Sequence, residues 1–174
     1  NAARPSDVVK SAQGKTVEIT NTDAEGRVIL CDALSYAAEF HPALIIDFAT
    51  LTGAARVALG GDLPPVFSNT DALRDQLVGI SFEVQDPLWP MPLWQPYHAM
   101  LESNIADLAN SGASRYAGAI TAALYLSRFV PQATPWLHID TYAWNDMDRP
   151  GRPKGGEAMG LRAVFELLKR KFKA

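Results

Sequence analysis

The sequence predicts an α/β fold, in which a mostly buried mixed sheet carries helices on both faces. Short apolar or β-branched runs alternate with longer stretches of helical periodicity along the 174 residues. This alternation is typical of layered α/β domains. The composition, 48% hydrophobic and 20% charged, is that of an ordinary globular protein, and the length suits one domain.

The first four predicted elements alternate strand and helix. The β-branched residues 16–20 predict a strand, and residues 28–40 repeat apolar side chains at helical spacing. The nearly continuous apolar run 43–49 is typical of a buried strand. Residues 51–59 predict a short helix that ends at the Gly-Gly pair that follows.

The second half of the chain continues this order. Residues 65–68 predict a strand, and residues 71–84 predict a helix capped by Asn69 or Thr70. A helix of small residues, a core strand and a terminal helix are predicted over residues 117–130, 136–143 and 157–172.

Two segments are predicted to be loops. Residues 87–96 contain four prolines and two tryptophans, which exclude a regular helix or a central strand. A long ordered loop in a compact domain is often functional. Residues 145–156 are rich in Gly, Pro, Asp and Arg and predict an exposed loop.

The charge balance indicates no affinity for nucleic acid or membranes. Sixteen Lys and Arg residues face nineteen Asp and Glu residues, a net charge of −3. No apolar run is long enough to span a bilayer. The single cysteine, Cys31, excludes an intrachain disulfide and fits a reducing compartment, so we expect a cytoplasmic location.

Residues 21–27, Asn-Thr-Asp-Ala-Glu-Gly-Arg, carry the main chemical signal. Asp23 and Glu25 are two residues apart, and in extended backbone both side chains would point to the same side. Adjacent carboxylates repel unless a cation or a shared proton relieves them. Arg27 adds a permanent positive charge, and the start of a helix favours anions. The pattern predicts a metal-bound carboxylate pair beside an oxyanion-stabilising arginine.

The same residues also fit part of a calcium-binding loop. Asn21, Asp23, Glu25 and Gly26 occupy its first, third, fifth and sixth positions. That loop requires a helix on each side, whereas residues 16–20 are strand-like. A small calcium-binding module is therefore the less favoured interpretation.

Residues 21–27 resemble the signature of the leucyl (cytosol) aminopeptidases, a family of dinuclear metallo-exopeptidases. Further blocks resemble family segments in the same order: residues 1–8, 14–18, 49–54, 106–110, 117–123 and 136–140. The resemblance implies that residues 1–174 are the C-terminal portion of one catalytic domain. It also implies that a metal-binding lysine, two metal-binding aspartates and a catalytic lysine lie upstream, outside this chain. The chain would then carry half of the active site and would be inactive by itself.

The resemblance implies a role for each residue of the acidic loop. Two divalent ions, manganese or zinc, would share Glu25 as a bridge, and Asp23 would bind one of them. Arg27 would be catalytic and would bind the tetrahedral intermediate, or a bicarbonate ion that shuttles protons.

The resemblance also implies a substrate pocket. Thr50, Leu51 and Gly53 would line it, and Tyr142 stands where many members have alanine. Asn145 stands where many members have a methionine at the pocket floor. The implied protein is a homohexamer that acts on peptides with a free N-terminus. The alternative is a non-catalytic member with an assembly or binding role, its pocket closed by Tyr142.

His138 lies two residues from Asp140 on the predicted core strand, so the two could form a ligand pair. A buried, hydrogen-bonded histidine is the favoured interpretation, because the resemblance gives this residue no metal-binding role. Cys31 is expected to be an inert helix thiol.

Overall fold

The computed structural model describes residues 2–172; Asn1, Lys173 and Ala174 lie outside the described residues. The chain forms two compact units, each built from two separate segments. The first unit comprises the residues up to Ile45 together with Leu93–Trp136. The second comprises Ile46–Pro92 together with the residues from Leu137 onward.

The predicted α/β class is confirmed. The strands are β1 (Val8–Lys10), β2 (Thr16–Glu18), β3 (Ile45–Ala49), β4 (Pro65–Ser68), β5 (Trp89–Pro90), β6 (Leu108–Ala109), β7 (Trp136–Asp140), β8 (Trp144–Asn145) and β9 (Gly155–Gly156). The α-helices are α1 (Glu25–Glu39), α2 (Gly53–Leu59), α3 (Asp71–Glu83), α4 (Gly118–Ser127) and α5 (Leu161–Lys171). Turns of 3₁₀ helix cover Thr22–Ala24 and Gln95–Leu101.

The sheet of the first unit is mixed, since β2 pairs antiparallel with β1 and parallel with β6. Helix α4 packs against α1 and against the 3₁₀ helix Gln95–Leu101. Residues 122–126 of α4 are completely buried. Because the helix is apolar on all sides, it forms the core of this unit rather than covering a surface.

The sheet of the second unit has the order β3-β7-β4-β5 and is also mixed. Strand β4 pairs parallel with β5 and antiparallel with β7. Every residue of β4 and β7 is buried, as expected for central strands. Helix α3 contacts both β4 and α5, and α5 buries Ala163, Val164 and Leu167.

The proline-rich segment 87–96 is predicted to form neither a regular helix nor a central strand. It contains no α-helix, its last two residues begin the 3₁₀ helix Gln95–Leu101, and β5 lies at the edge of the sheet, where a proline is tolerated. Within residues 2–172, no helix has both the length and the apolar character needed to cross a lipid bilayer.

The predicted exposed loop over residues 145–156 is wrong in part. Strands β8 and β9 pair antiparallel across it, and Arg149 and Arg152 form a further bridge. Asn145 is buried, and its Nδ2 donates hydrogen bonds to the carbonyls of Arg152 at 2.8 Å and Pro153 at 3.0 Å. These bonds are between residues seven and eight positions apart, so turn composition alone did not indicate them.

Cys31 is completely buried on α1, where its Sγ accepts a hydrogen bond from the Tyr125 hydroxyl at 3.5 Å. Burial raises the pKa of the thiol from 9.0 to about 11. At neutral pH the thiol is therefore protonated and shielded from solvent, as expected for an inert cysteine.

This shifted pKa predicts a pH-dependent loss of stability. Below pH 9 the thiol is protonated in both states; between pH 9 and 11 only the unfolded state loses the proton. The free energy of unfolding should therefore fall across this window, by up to about 2 kcal/mol. Denaturant titrations of the wild type and Cys31→Ala measure the difference. Equal pH dependence in both proteins would contradict the assignment.

Candidate functional site

Residues 21–27 connect β2 to α1 through the 3₁₀ turn Thr22–Ala24. Asn21 caps this turn, because its side-chain oxygen accepts a hydrogen bond from the Asp23 amide at 2.9 Å. The interpretation of extended backbone at Asp23 and Glu25 is therefore wrong. Side chains two residues apart on helical backbone do not face each other. The alternation argument for a carboxylate pair does not apply here.

Asp23 and Glu25 are exposed at the start of helical turns, where the backbone favours negative charge. Their oxygens are ligands that suit divalent ions. Within residues 2–172, however, no group of three or more His, Cys, Asp or Glu side chains could hold a metal ion. The donor chemistry fits a divalent ion, and the number of donors falls short of a complete coordination shell.

Arg27 lies on the first turn of α1 and is 7% exposed. Its Nη1 donates a hydrogen bond to the carbonyl of Asn110 at 2.9 Å. A guanidinium held in this way is positioned before any ligand arrives, which reduces the entropy lost on binding.

Sequence reasoning missed Asn110, the residue that holds this loop in place. It is completely buried. Its Oδ1 accepts hydrogen bonds from the amides of Thr20 at 2.9 Å and Asn21 at 3.2 Å, and from the Thr20 hydroxyl at 3.1 Å. Its Nδ2 donates to the carbonyls of Asn21 at 2.8 Å and Ala24 at 3.4 Å. Both ends of the amide therefore bind the segment that carries the carboxylates.

The main chain of Asn110 adds two contacts. Its amide donates to the carbonyl of Glu18 at 2.8 Å, next to the parallel pairing of β2 with β6, and its carbonyl accepts from Arg27. One residue thus contacts the strand before the loop, the loop and the helix after it. Its only sequence signal was its position in block 106–110, which indicated a family segment and no role.

Thr50, Leu51 and Gly53 lie in the second unit, where the chain passes from β3 into α2. Thr52 caps α2, since its hydroxyl oxygen accepts from the Ala55 amide at 3.0 Å. The predicted pocket residues therefore lie at the start of a short helix, with Thr50 and Leu51 before it and Gly53 as its first residue.

Asp140, at the end of β7, fixes this loop. Its carboxylate is 3% exposed. Oδ1 accepts from the amides of Leu51 at 2.9 Å and Thr52 at 3.1 Å, and Oδ2 accepts from the Thr52 hydroxyl at 2.6 Å. Asp140 therefore links the loop to the segment that leads to Tyr142. The sequence suggests Asp140 only as a ligand partner of His138 and gives no signal for this role.

Tyr142 is half-buried, and its hydroxyl donates to Asp146 at 3.2 Å. The ring packs closely on Gly61, where an added Cβ would lie 3.1 Å from it. Tyr142 is thus held by contacts at the edge of its ring and at its hydroxyl.

His138 is completely buried, and its Nδ1 lies 2.6 Å from an oxygen of Asp47. The interpretation of a buried, hydrogen-bonded histidine is confirmed. The calcium-loop alternative is wrong. Residues 11–20, all within the described part of the chain, precede the acidic loop; they contain strand β2 and no helix.

Three comparisons place the chain among known proteins. The catalytic domain of the cytosol aminopeptidase family matches residues 1–165. A probable cytosol aminopeptidase of Burkholderia cenocepacia is 52% identical over 92% of this chain and 30% of its own length. A similar protein of Syntrophobacter fumaroxidans is 45% identical over 96% of this chain and 33% of its own.

Solved structures agree. The crystal structure of a cytosol aminopeptidase from Coxiella burnetii matches 98% of this chain with 57% identity and a TM-score of 0.95. A tomato leucine aminopeptidase mutant matches 97% with 39% identity and a TM-score of 0.88. The chain spans about a third of the length of these proteins, between 30% and 37%.

Asn110→Ala should destabilise the protein strongly. The change removes five hydrogen bonds made by the side chain, which is itself completely buried. We expect a loss of about 2–4 kcal/mol in the free energy of unfolding, measured by denaturant titration. The matched control is Asn104→Ala, at an exposed asparagine, which should change it by less than about 0.5 kcal/mol. Similar losses in both variants would contradict the role of Asn110.

Asp140→Asn and Thr52→Val should be strongly coupled. The charge-assisted 2.6 Å bond that the Thr52 hydroxyl donates to the carboxylate is lost in either variant, so the second change should cost less after the first. We expect a coupling free energy of about 1–2 kcal/mol from a double-mutant cycle of unfolding. Additive effects would show that the two side chains act independently.

Proposed function

Because the chain belongs to the cytosol aminopeptidase family, we propose that it is the C-terminal portion of the catalytic domain of a dinuclear metal-dependent aminopeptidase. The complete protein would release N-terminal amino acids from peptides. The observation that carries the proposal is the loop 21–27, where Asn110 binds the backbone that bears two exposed carboxylates and also binds the buried Arg27.

In this proposal Asp23 and Glu25 supply ligands for two divalent ions, manganese or zinc. Bound ions of this kind provide Lewis acidity and activate water for attack on a peptide carbonyl. Two carboxylates do not complete such a site, so the further ligands would come from sequence outside this chain. This agrees with the chain's span of about a third of its relatives. The isolated chain is then expected to be inactive.

Arg27 would stabilise the negative charge that develops on the carbonyl oxygen during attack. Its guanidinium is permanently charged and already held by the Asn110 carbonyl, so little reorganisation is needed. The same group would hold a bicarbonate ion as proton shuttle, if that ion binds.

Thr50, Leu51 and Gly53 would contact the substrate, with Tyr142 as a wall of the pocket. This assignment is supported by the contacts that hold the loop and the tyrosine ring in place. Asp140 fixes the loop through both carboxylate oxygens, and Gly61 and Asp146 hold the tyrosine ring. A loop held in this way retains its shape before the peptide binds, which favours affinity.

We further propose a homohexamer that works in the cytoplasm. Helix α1 exposes Ile29 and Tyr36, and Phe40, the residue after its end, is also exposed; the three are seven and four residues apart and so lie on one side of the helix. An apolar stripe of this kind favours association with another protein surface. The names of the relatives, cytosol aminopeptidases, support the location.

A non-catalytic assembly or binding role is the second candidate. It is favoured by Tyr142, whose ring occupies part of the space that a small residue would leave open for the first side chain of a peptide.

The decisive experiment measures hydrolysis of a panel of aminoacyl amides by the complete protein with added Mn²⁺ or Zn²⁺. Glu25→Ala should lower metal-dependent kcat by at least about 100-fold, because a metal ligand is lost. Glu39→Ala, at an exposed glutamate of the same helix, is the control and should retain activity.

Calorimetry of metal binding accompanies the assay. Wild-type activity with no loss in Glu25→Ala would contradict the assigned site. A folded, metal-loaded protein that cleaves no member of the panel would contradict the enzymatic proposal and favour the assembly role.

A further inference from the structure

Arg56, on helix α2, places a cation beside the loop assigned to the substrate. Its side chain folds back toward the start of the helix, where Nη1 donates to the carbonyl of Thr52 at 3.5 Å. Nη2 lies 3.6 Å from the position that a Cβ would take on Gly53. The guanidinium is therefore next to Gly53, one of the proposed pocket residues.

The same guanidinium lies over the ring of Tyr142, with its central carbon 4.9 Å from the ring centroid. This distance is typical of a cation–π contact. The ring itself is held by Asp146 and Gly61. Arg56 and Tyr142 therefore form one surface patch, which we call the Arg56–Tyr142 wall.

The charge of Arg56 is not matched by a carboxylate. Among residues 2–172, none of the ion pairs involves Arg56. The acidic side chains near the wall have other partners. Asp62 pairs with Arg149 at 2.9 Å, and Asp146 accepts from the Tyr142 hydroxyl at the far end of the ring. Arg56 is also exposed, so an anion can reach it.

We propose that the Arg56–Tyr142 wall makes the enzyme select peptides whose N-terminal residue is acidic, aspartate or glutamate. This inference rests on the proposed function. The substrate's side-chain carboxylate would pair with the Arg56 guanidinium, whose planar donors suit a carboxylate. The ring of Tyr142 fixes the guanidinium and fills volume that a leucine side chain would need.

The competing explanation is that Arg56 is an ordinary solvated surface arginine. An exposed ion pair contributes little, roughly a few-fold in affinity, whereas a pair from which bound substrate excludes water contributes more. The proposal therefore predicts a larger preference for a substrate carboxylate over its neutral amide isostere than the competing explanation does.

The test compares kcat/KM for the anilides of Glu, Gln, Asp, Asn and Leu, with the complete, metal-loaded protein. Glu and Gln are nearly isosteric, so their ratio isolates the charge. We expect a ratio of about 10 or more in favour of Glu for the wild type, falling toward 1 in Arg56→Gln. Arg56→Lys should retain part of the preference, because it keeps the charge and loses the planar fork.

Arg4→Gln, at an exposed arginine elsewhere in the sequence, is the matched control and should leave the ratio unchanged. Added salt should reduce the wild-type ratio and leave that of Arg56→Gln unaffected, since only a charge pair is screened. A ratio near 1 in the wild type, or an unchanged ratio in Arg56→Gln, would overturn the inference while Leu-anilide turnover still supports the proposed function.

Failure of the proposed function has a different signature, the absence of turnover with every anilide. Calorimetric binding of free glutamate, glutamine and leucine to the wild type and Arg56→Gln then decides the inference independently. Tighter binding of glutamate that is lost in Arg56→Gln supports it, and equal binding of glutamate and glutamine by the wild type contradicts it.

Discussion

The geometry of the candidate site depends on the buried amide of Asn110. The segment that it holds presents amides, a hydroxyl and carbonyls, so the group that binds it must both donate and accept. A carboxamide does both without a charge and on two separate atoms, an oxygen that accepts and a nitrogen with two donor hydrogens, whereas burying a charge here would be costly. The exposed carboxylates of Asp23 and Glu25 therefore lie on a segment whose backbone the buried Asn110 side chain fixes.

In the second unit, too, a buried polar side chain fixes a loop, but here the side chain is a carboxylate. The loop before α2 presents only donors to Asp140, namely two amides and a hydroxyl, and a carboxylate is the side chain that accepts all three. Asp86 has the same role at the start of α5, where it accepts from the amides of Gly160, Arg162 and Ala163. A buried amide side chain is thus found where the loop presents both donors and acceptors, and a buried carboxylate where it presents only donors.

The sequence was informative where structure is local. Apolar periodicity predicted α1 and α3, and the apolar run before Ala49 predicted β3, within a few residues. It failed at the acidic loop, where a 3₁₀ turn replaces extended backbone. That turn is stabilised by Asn110, about 90 positions away in the chain. No local pattern signals a bond of that separation, so the residue that shapes the site was the one that sequence reasoning missed.

In both units, the residues that fix the loops differ from the residues assigned to bind metals and substrates. The polar groups that fix the loops, Asn110 and Asp140, are buried, and replacing either removes several hydrogen bonds. The groups assigned to substrates and metals are largely exposed, and Arg56 contacts its neighbours through one weak hydrogen bond and one ring face. A side chain of that kind can change at small cost in stability. Differences in substrate preference within one fold are therefore expected at such exposed residues, and we propose Arg56, beside Tyr142, as one of them in this chain.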